Sequence, residues 1–531
     1  MQEHMPTEGR SPFGSKLHAH RTGRKMSLQA LATLVHYSKG HLSKVENGEK
    51  PASSQLARSC DKALGAGGEL LLAYQAGLGA PRAQPQRPAQ LPMSTVPFIG
   101  RTMQLAALDA AFDRFRTKSR EAAAVIVVDG MAGVGKTALM LQWAHRVAEQ
   151  FPGGVLFYDL RPGGVAADAA QVLAGFLQAL GIRAEEIPQE TVERAALYRT
   201  LLAKRRVLVV LDNAVSAEQV RPQLPSAPGS LVLVGSRDRL PGLVARNGAT
   251  RVTLQPLSTN ESCELFRQVT RQRQLGVAPA TVAEVVGRCG HLPLALRIAA
   301  ESLLAGAQGV LNGLGSNAVC LDLLSAGNDE GASIRAAFEQ SYRALDDEVA
   351  HAFRLLGRHA ETGTSLAAAA LLLDTDEATA WRRLDALYQV HLVEQPSRGR
   401  YRVHRLLRVY AAELAALDRQ KCDEGSRRLL EWYQRTAQEA LCVLLSPEHD
   451  GAVVETGRFP TSEHAWRWCK AEELNLRLAI AHADRLNMDA VSIELSDVTR
   501  ILSLLRHGNC SPSSPLERPR LGSGKEPVGS Y

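Results

Sequence analysis

Val125-Ile-Val-Val-Asp-Gly-Met-Ala-Gly-Val-Gly-Lys-Thr-Ala-Leu is the stretch around which the rest of the chain organises. Four β-branched residues, Val125–Val128, predict a buried strand. Gly130, Gly133 and Gly135 then let the backbone wrap an anion without Cβ clashes. Lys136 and Thr137 follow, and Ala138 opens a helix that runs to Glu149. A strand, a G-x-x-x-x-G-K-T turn and a helix start together predict a phosphate-binding loop. The helix-start amides, through Val134 to Ala138, would face phosphate oxygens. Lys136 would supply a point charge and Thr137 a hydroxyl for Mg²⁺.

Working outward, further apolar runs lie at Val155–Tyr158, Val207–Leu211, Leu231–Val234 and Arg251–Leu254, with helix-period stretches between them. Such alternation predicts a parallel sheet covered on both faces, an α/β domain over 96–259. The run before Asp212 places that acid at a strand end, about 75 residues after the loop, as the Mg²⁺-side carboxylate. Asn213 stands next, where an acid could have activated water; an amide orients but is a poor base.

The chain has 531 residues, 45% hydrophobic and 22% charged, a globular composition that excludes wholesale disorder or a fibre. Eight scattered cysteines form no Cys-x-x-Cys pair, which fits reduced thiols better than zinc or disulfides. No apolar run approaches the ~18 residues of a membrane helix, so the sequence reads as cytoplasmic, with no membrane partner. Beyond the sheet the expected parts are a helical subdomain at 260–330, a further unit at 331–417 with a hairpin near Leu392–Val403, a helical region at 418–505 and a disordered tail at 506–531. A proline-rich linker is expected at 67–95.

The net charge is +7, and nearly all of it falls early: from Lys16 to Lys62 nine Lys/Arg face three acids. The same segment, read as an all-α domain at 14–66, contains two short helices. Ser27 caps the first, whose apolar face is Leu28, Leu31, Ala32 and Leu34 or Val35. Ser38 caps the second, anchored by Leu42 and Val45 and stopped by Gly48. The polar residues left outside, Lys39, His41, Ser43, Lys44 and Asn47, suit phosphates and base edges in a major groove. Ser27 to Gly48 resembles the Cro/repressor-type (XRE) helix-turn-helix family, with Gln29 where that family often has a first-helix glutamine. The resemblance implies duplex DNA as partner, contacted through Gln29, Ser38, Lys39, His41, Ser43, Lys44 and Asn47.

A second resemblance rests on ordered short motifs: Val96-Pro-Phe-Ile-Gly-Arg, the phosphate loop, Leu233-Val-Gly-Ser-Arg, Gly290-His-Leu-Pro-Leu-Ala and Tyr401-Arg-Val-His-Arg-Leu-Leu. Together they resemble the NB-ARC class of STAND ATPases. This implies a P-loop NTPase domain, a helical subdomain and a winged-helix subdomain clamping ATP or ADP. Phe98, Ile99 and Arg101 would cup adenine, Pro293 would pack on the base, Arg237 would sense the γ-phosphate and His404 would touch the β-phosphate. Lys136, Asp212 and Arg237 are the catalytic candidates. Two departures stand out: Arg405 replaces the acid of the M-H-D motif, and Asn213 replaces an acid after Asp212. Both point to a switch with, at most, slow ATPase turnover. Trp466 to Ala483 looks like the lead-in to helical repeats, so the sensor region reads as cut short. The resulting expectation is a nucleotide-gated DNA-binding transcription regulator that self-associates on activation. The alternative is a signalling scaffold whose head binds protein.

Overall fold

The computed structural model describes residues 11–78, 87–118, 123–271, 277–304, 321–325, 333–359, 362–445 and 458–506. The expected disordered tail lies outside them, apart from Arg506 at the end of the last helix, and so does most of the Gly/Ser/Asn-rich stretch 312–328. The chain forms two compact units, Met1–Arg87 with Leu177–Ile187, and Pro88–Phe176 with Pro188–Tyr531. Among the described residues no helix is long and apolar enough to cross a membrane.

The described residues of the head form helices α1 Pro12–Gly23, α2 Leu28–Val35, α3 Lys39–Glu46, α4 Ser54–Ala63 and α5 Glu69–Leu78. Each of the first four starts at a serine whose hydroxyl accepts from a backbone N–H three residues on, at 3.0–3.2 Å. His36 takes a left-handed conformation after α2, and Gly48 does so after α3. Val35 rather than Leu34 completes the apolar face of α2; Leu34 is 56% exposed.

The expected linker at 67–95 is corrected at its start. Leu70 is buried, and Tyr74 meets Phe13 edge-on at 6.3 Å, so α5 completes the head core. Asp61 fixes the entry to α5 by accepting from Gly68 and Leu70 N–H groups at 2.9 and 3.0 Å. The linker's far end is also structured: Ala89 bridges to Val155 at the edge of the sheet in the second unit.

An internal ion cluster holds α3 on α1. Glu46 is buried and accepts from Arg21 at 2.7 and 3.1 Å and from His18. Burial pushes its carboxyl up, but the bonds and charges of Arg21 and His18 outweigh that and hold it below 4.5.

In the second unit the sheet comprises β1 Ala124–Gly130, β2 Val155–Asp159, β3 Leu208–Ala214, β4 Leu231–Ser236 and β5 Thr250–Leu254. Their order is β2-β3-β4-β1-β5, all parallel. Helices α6 Thr102–Lys118 and α7 Lys136–Val147 pack beside β1, with Phe112 edge-on to Trp143 at 5.8 Å. Parallel strands present all their carboxyl ends at one edge, where ligands of such sheets sit. Helices Thr259–Arg271, Pro279–Arg288 and Pro293–Leu304 follow. Next come Ile334–Tyr342, Asp347–His359, Leu366–Leu372, Glu377–Gln389 and Arg405–Leu417 with a small antiparallel sheet. Its strands are β6 Thr364–Ser365, β7 Glu394–Ser397 and β8 Arg400–Arg402, in the order β6-β8-β7. Three long helices, Arg419–Leu445, Ser462–Arg485 and Asp489–Arg506, close the described chain. One continuous buried cluster runs from Leu108 to Val498, joining the sheet to all these helices.

Replacing Glu46 with alanine would leave the half-buried Arg21 without its acid, at an expected cost of about 3 kcal/mol. Hydrogen exchange of α1 and α3 amides reads this loss. Because the folded carboxyl titrates below 4.5, Glu46 stabilises the head above that pH. The contribution fades as pH falls through the lowered folded value.

Candidate functional site

The phosphate loop leaves β1 at Gly130 and enters α7 at Lys136. Gly133 (φ +77°) is pressed from two sides: a Cβ there would lie 3.3 Å from Ile334 Cδ1 and 3.4 Å from Leu294 Cβ. A Cβ on Gly135 would lie 3.7 Å from Pro293 Cγ, and Leu294 N–H donates to the Gly133 carbonyl at 3.3 Å. The loop is therefore shared by the α/β domain, the helix Pro293–Leu304 and the helix Ile334–Tyr342.

Lys136 is buried, and its Nζ donates to the carbonyls of Gly130 (2.9 Å) and Met131 (3.0 Å). Burial, then the nearby Arg237, lower its ammonium to about 7, against the pull of Asp212 and Asp129. Thr137 is exposed, and its hydroxyl donates to Asp212 Oδ2 at 2.6 Å. A β-bulge between Leu211 and Ala214, with Asn213 at φ +56°, turns Asp212 toward that hydroxyl. Asn213 N–H donates to Asp212 Oδ1, and its amide donates to Asp159, both at 2.9 Å. Burial nevertheless keeps the Asp212 carboxyl above its ordinary value. A hydroxyl and a carboxylate in contact, beside a buried ammonium bonded to two carbonyls, form a donor set suited to phosphate and a divalent cation.

Arg101 is the loop's brace. Its guanidinium donates to the Val134 carbonyl at 2.8 Å and to the Gln255 carbonyl at 2.6 Å, while its own N–H donates to Glu261 at 3.1 Å. Gly100 (φ +70°) allows this; any Cβ there would collide with the Glu261 carboxyl at 2.1 Å. Phe98 and Ile99 are half-buried against the core.

Arg237, just past β4, donates to the Ala337 carbonyl at 2.5 Å. His404 caps the helix Arg405–Leu417. Its Nε2 lies 2.8 Å from the Gly290 carbonyl, and its Nδ1 accepts from Leu406 N–H at 3.3 Å. Burial lowers its pKa, and both ring nitrogens are engaged by the protein. In this arrangement the ring fixes the turn that carries Pro293. Arg405 is exposed at the start of its helix.

Sequence reasoning missed the contacts that join the sheet to the helix Glu377–Gln389. His391 Nε2 lies 3.2 Å from the buried Asp129 Oδ2. Arg239 N–H donates to the Gln389 carbonyl at 2.9 Å, and its guanidinium lies 3.7 Å from the Tyr388 ring centroid. Asp129, inside the phosphate-loop stretch, was the available signal: a buried acid needs a partner.

In the head, Gln29, Ser38, Lys39, Lys44 and Asn47 are exposed, while His41 and Ser43 are half-buried. Ser38 Oγ accepts from His41 N–H as the helix cap, and the His41 ring leans on Tyr37 at 5.3 Å.

Residues 12–73 match the helix-turn-helix domain family, and residues 106–276 match the NB-ARC domain family. The chain carries an NB-ARC domain behind a helix-turn-helix domain. It is 37% identical over 494 residues to the regulatory protein AfsR of Streptomyces griseus, covering 90% of this chain and 49% of that protein. AfsR of Streptomyces coelicolor is 39% identical over 367 residues, 66% of this chain and 36% of that protein. The chain thus spans half or less of the length of these relatives. The ToMV resistance protein Tm-2(2) of Solanum lycopersicum is 26% identical over 196 residues, 34% of this chain and 22% of that protein. A Walker-type ATPase of Pyrococcus abyssi aligns in structure with a TM-score of 0.42 and 15% identity, over 62% of this chain and 99% of that one.

Arg101→Ala would strand two carbonyls at the base of the NB-ARC loop. The expected loss is about 3 kcal/mol, read as faster hydrogen exchange across Met131–Thr137 with the head unaffected.

Proposed function

We propose that this chain is a DNA-binding transcription regulator whose NB-ARC domain switches between ADP- and ATP-bound arrangements. The observation that carries the reading is the phosphate loop's position, held between the sheet, Pro293 and Ile334, in a chain that begins with a basic helix-turn-helix. A nucleotide there touches three rigid parts at once, so its phosphate state can bias their packing.

Lys136 and the first turn of α7 would hold the phosphates; Thr137 and Asp212 would share Mg²⁺. Bound nucleotide supplies the charge that these groups compensate. Arg237 is the coupling residue: its bond to Ala337 ties the end of β4 to the helix Ile334–Tyr342. Drawing Arg237 toward a terminal phosphate would release that helix. The helices and three-stranded sheet from Asp347 to Leu417 act as the winged-helix unit in this scheme, and His404 supports it through Gly290. With Arg405 exposed, closure would rest on His391 with Asp129 and on Arg239 with Tyr388. A complete switch requires ~10⁴-fold difference in affinity between states, about 5.5 kcal/mol. Asn213 is spent on Asp159 and supplies no general base, which suits slow turnover.

Lys136→Ala is expected to remove most ADP affinity in calorimetry of the full chain; unchanged affinity would contradict the nucleotide reading. In the head, Lys39→Ala and Lys44→Ala are each expected to weaken duplex DNA binding several-fold. Each should also reduce the salt slope by about one unit. DNA binding indifferent to both changes would favour a head that docks protein.

A further inference from the structure

Two arginines from different loops meet in one cavity. Arg161 follows β2 and Arg237 follows β4; with Asn213, Asp238, Gln340 and Ser341 they line a space of about 220 Å³. Arg161 Nε donates to the Gly164 carbonyl at 2.7 Å, and Arg237 uses one terminal nitrogen on Ala337. Among the described residues no carboxylate is ion-paired with either guanidinium. Some part-buried arginines elsewhere do have acids: Arg21 has Glu46, Arg358 has Asp423 and Arg400 has Glu472.

Like charges converging on a half-enclosed space repel. Burial and the charge of Arg161 together bring the Arg237 guanidinium down to about 10, with only Asp212 acting against them. An anion between the two would relieve this cost, and two planar guanidinium forks match tetrahedral phosphate oxygens. The cavity's lining comes from outside the phosphate loop, and bonds of its wall residues connect it to that loop. Its wall residue Asn213 is bonded to Asp212, which takes the Thr137 hydroxyl, and Arg237 acts electrostatically on Lys136.

We infer that Arg161 is a second cationic contact, acting with Arg237, for the terminal phosphate of a nucleoside triphosphate held by the loop. This rests on the nucleotide reading above and adds a residue that the motif resemblance did not single out. It also links the loop after β2 to the moving part: a Cβ on Gly164 would lie 3.1 Å from Gln340 Nε2 on the helix Ile334–Tyr342. Both arginines thus stand where that helix meets the sheet domain.

The test uses the full chain, Arg161→Gln and Arg161→Lys, with calorimetry of Mg-ADP and of a non-hydrolysable Mg-ATP analogue. Arg161→Gln is expected to weaken the analogue about tenfold and ADP by less than about twofold, with Arg161→Lys recovering part of the loss. Equal weakening of both nucleotides, or an unchanged analogue affinity, would overturn the assignment while leaving the nucleotide reading intact. Wild-type protein that binds neither nucleotide would overturn both. Inorganic phosphate titrated onto the ADP-bound chain separates the two phosphate sources. Phosphate binding lost in Arg161→Gln, with analogue affinity unchanged, would assign the seat to free phosphate and overturn its assignment to the nucleotide.

Discussion

Lys136 is a buried cation whose bonded partners are two carbonyls of its own loop. Desolvating an ammonium is costly, and carbonyl dipoles return only part of the loss. The chain sustains this because the loop is held from outside. Arg101 grips Val134, Pro293 and Leu294 press on Gly135 and Gly133, and Ile334 closes the remaining side. Each of these braces comes from a different segment, separated from the loop by tens to hundreds of residues. The site is therefore a property of the packed unit rather than of the motif alone.

The same packing explains why the small contacts around the sheet's carboxyl edge matter. Asp129, Arg237 and Arg239 all sit at or just past strand ends, and each reaches a helix that follows the sheet in sequence or the turn that ends one. Interfaces of this kind pack in discrete arrangements. An anion that competes for Arg237 acts on a bond between the sheet and the helix Ile334–Tyr342. The exposed Arg405, standing where the NB-ARC pattern has an acid, takes no part in this set. The seam instead uses a buried histidine–carboxylate contact and an arginine on a tyrosine face.

The head follows a separate logic. Its serine caps and its leucine spacing were readable directly, because capping and helix periodicity are local effects. The stop at Gly48 fell where expected for the same reason. Its boundary was misjudged: Glu69–Leu78 follows three glycines and precedes a proline-rich run, so the composition reads as linker. Burial of Leu70, the Tyr74 contact with Phe13 and the capping Asp61 fold that helix back, and all of these are contacts across the head. The cluster of Glu46, Arg21 and His18 likewise joins residues 25 and 28 positions apart and left only a charge balance in the sequence.

The amino-acid sequence by itself determined the parallel α/β core, the phosphate loop, the acid at the end of β3 and the basic face of α3. In each case the physical cause acts over a few residues: β-branched runs, glycine at positive φ, serine caps. Tertiary structure alone decided that Pro293, Ile334 and Arg101 press on one loop, that His404 serves Gly290, and that Arg161 meets Arg237. Those are meetings between distant segments, selected by burial and charge in the folded chain, and no local pattern encodes them.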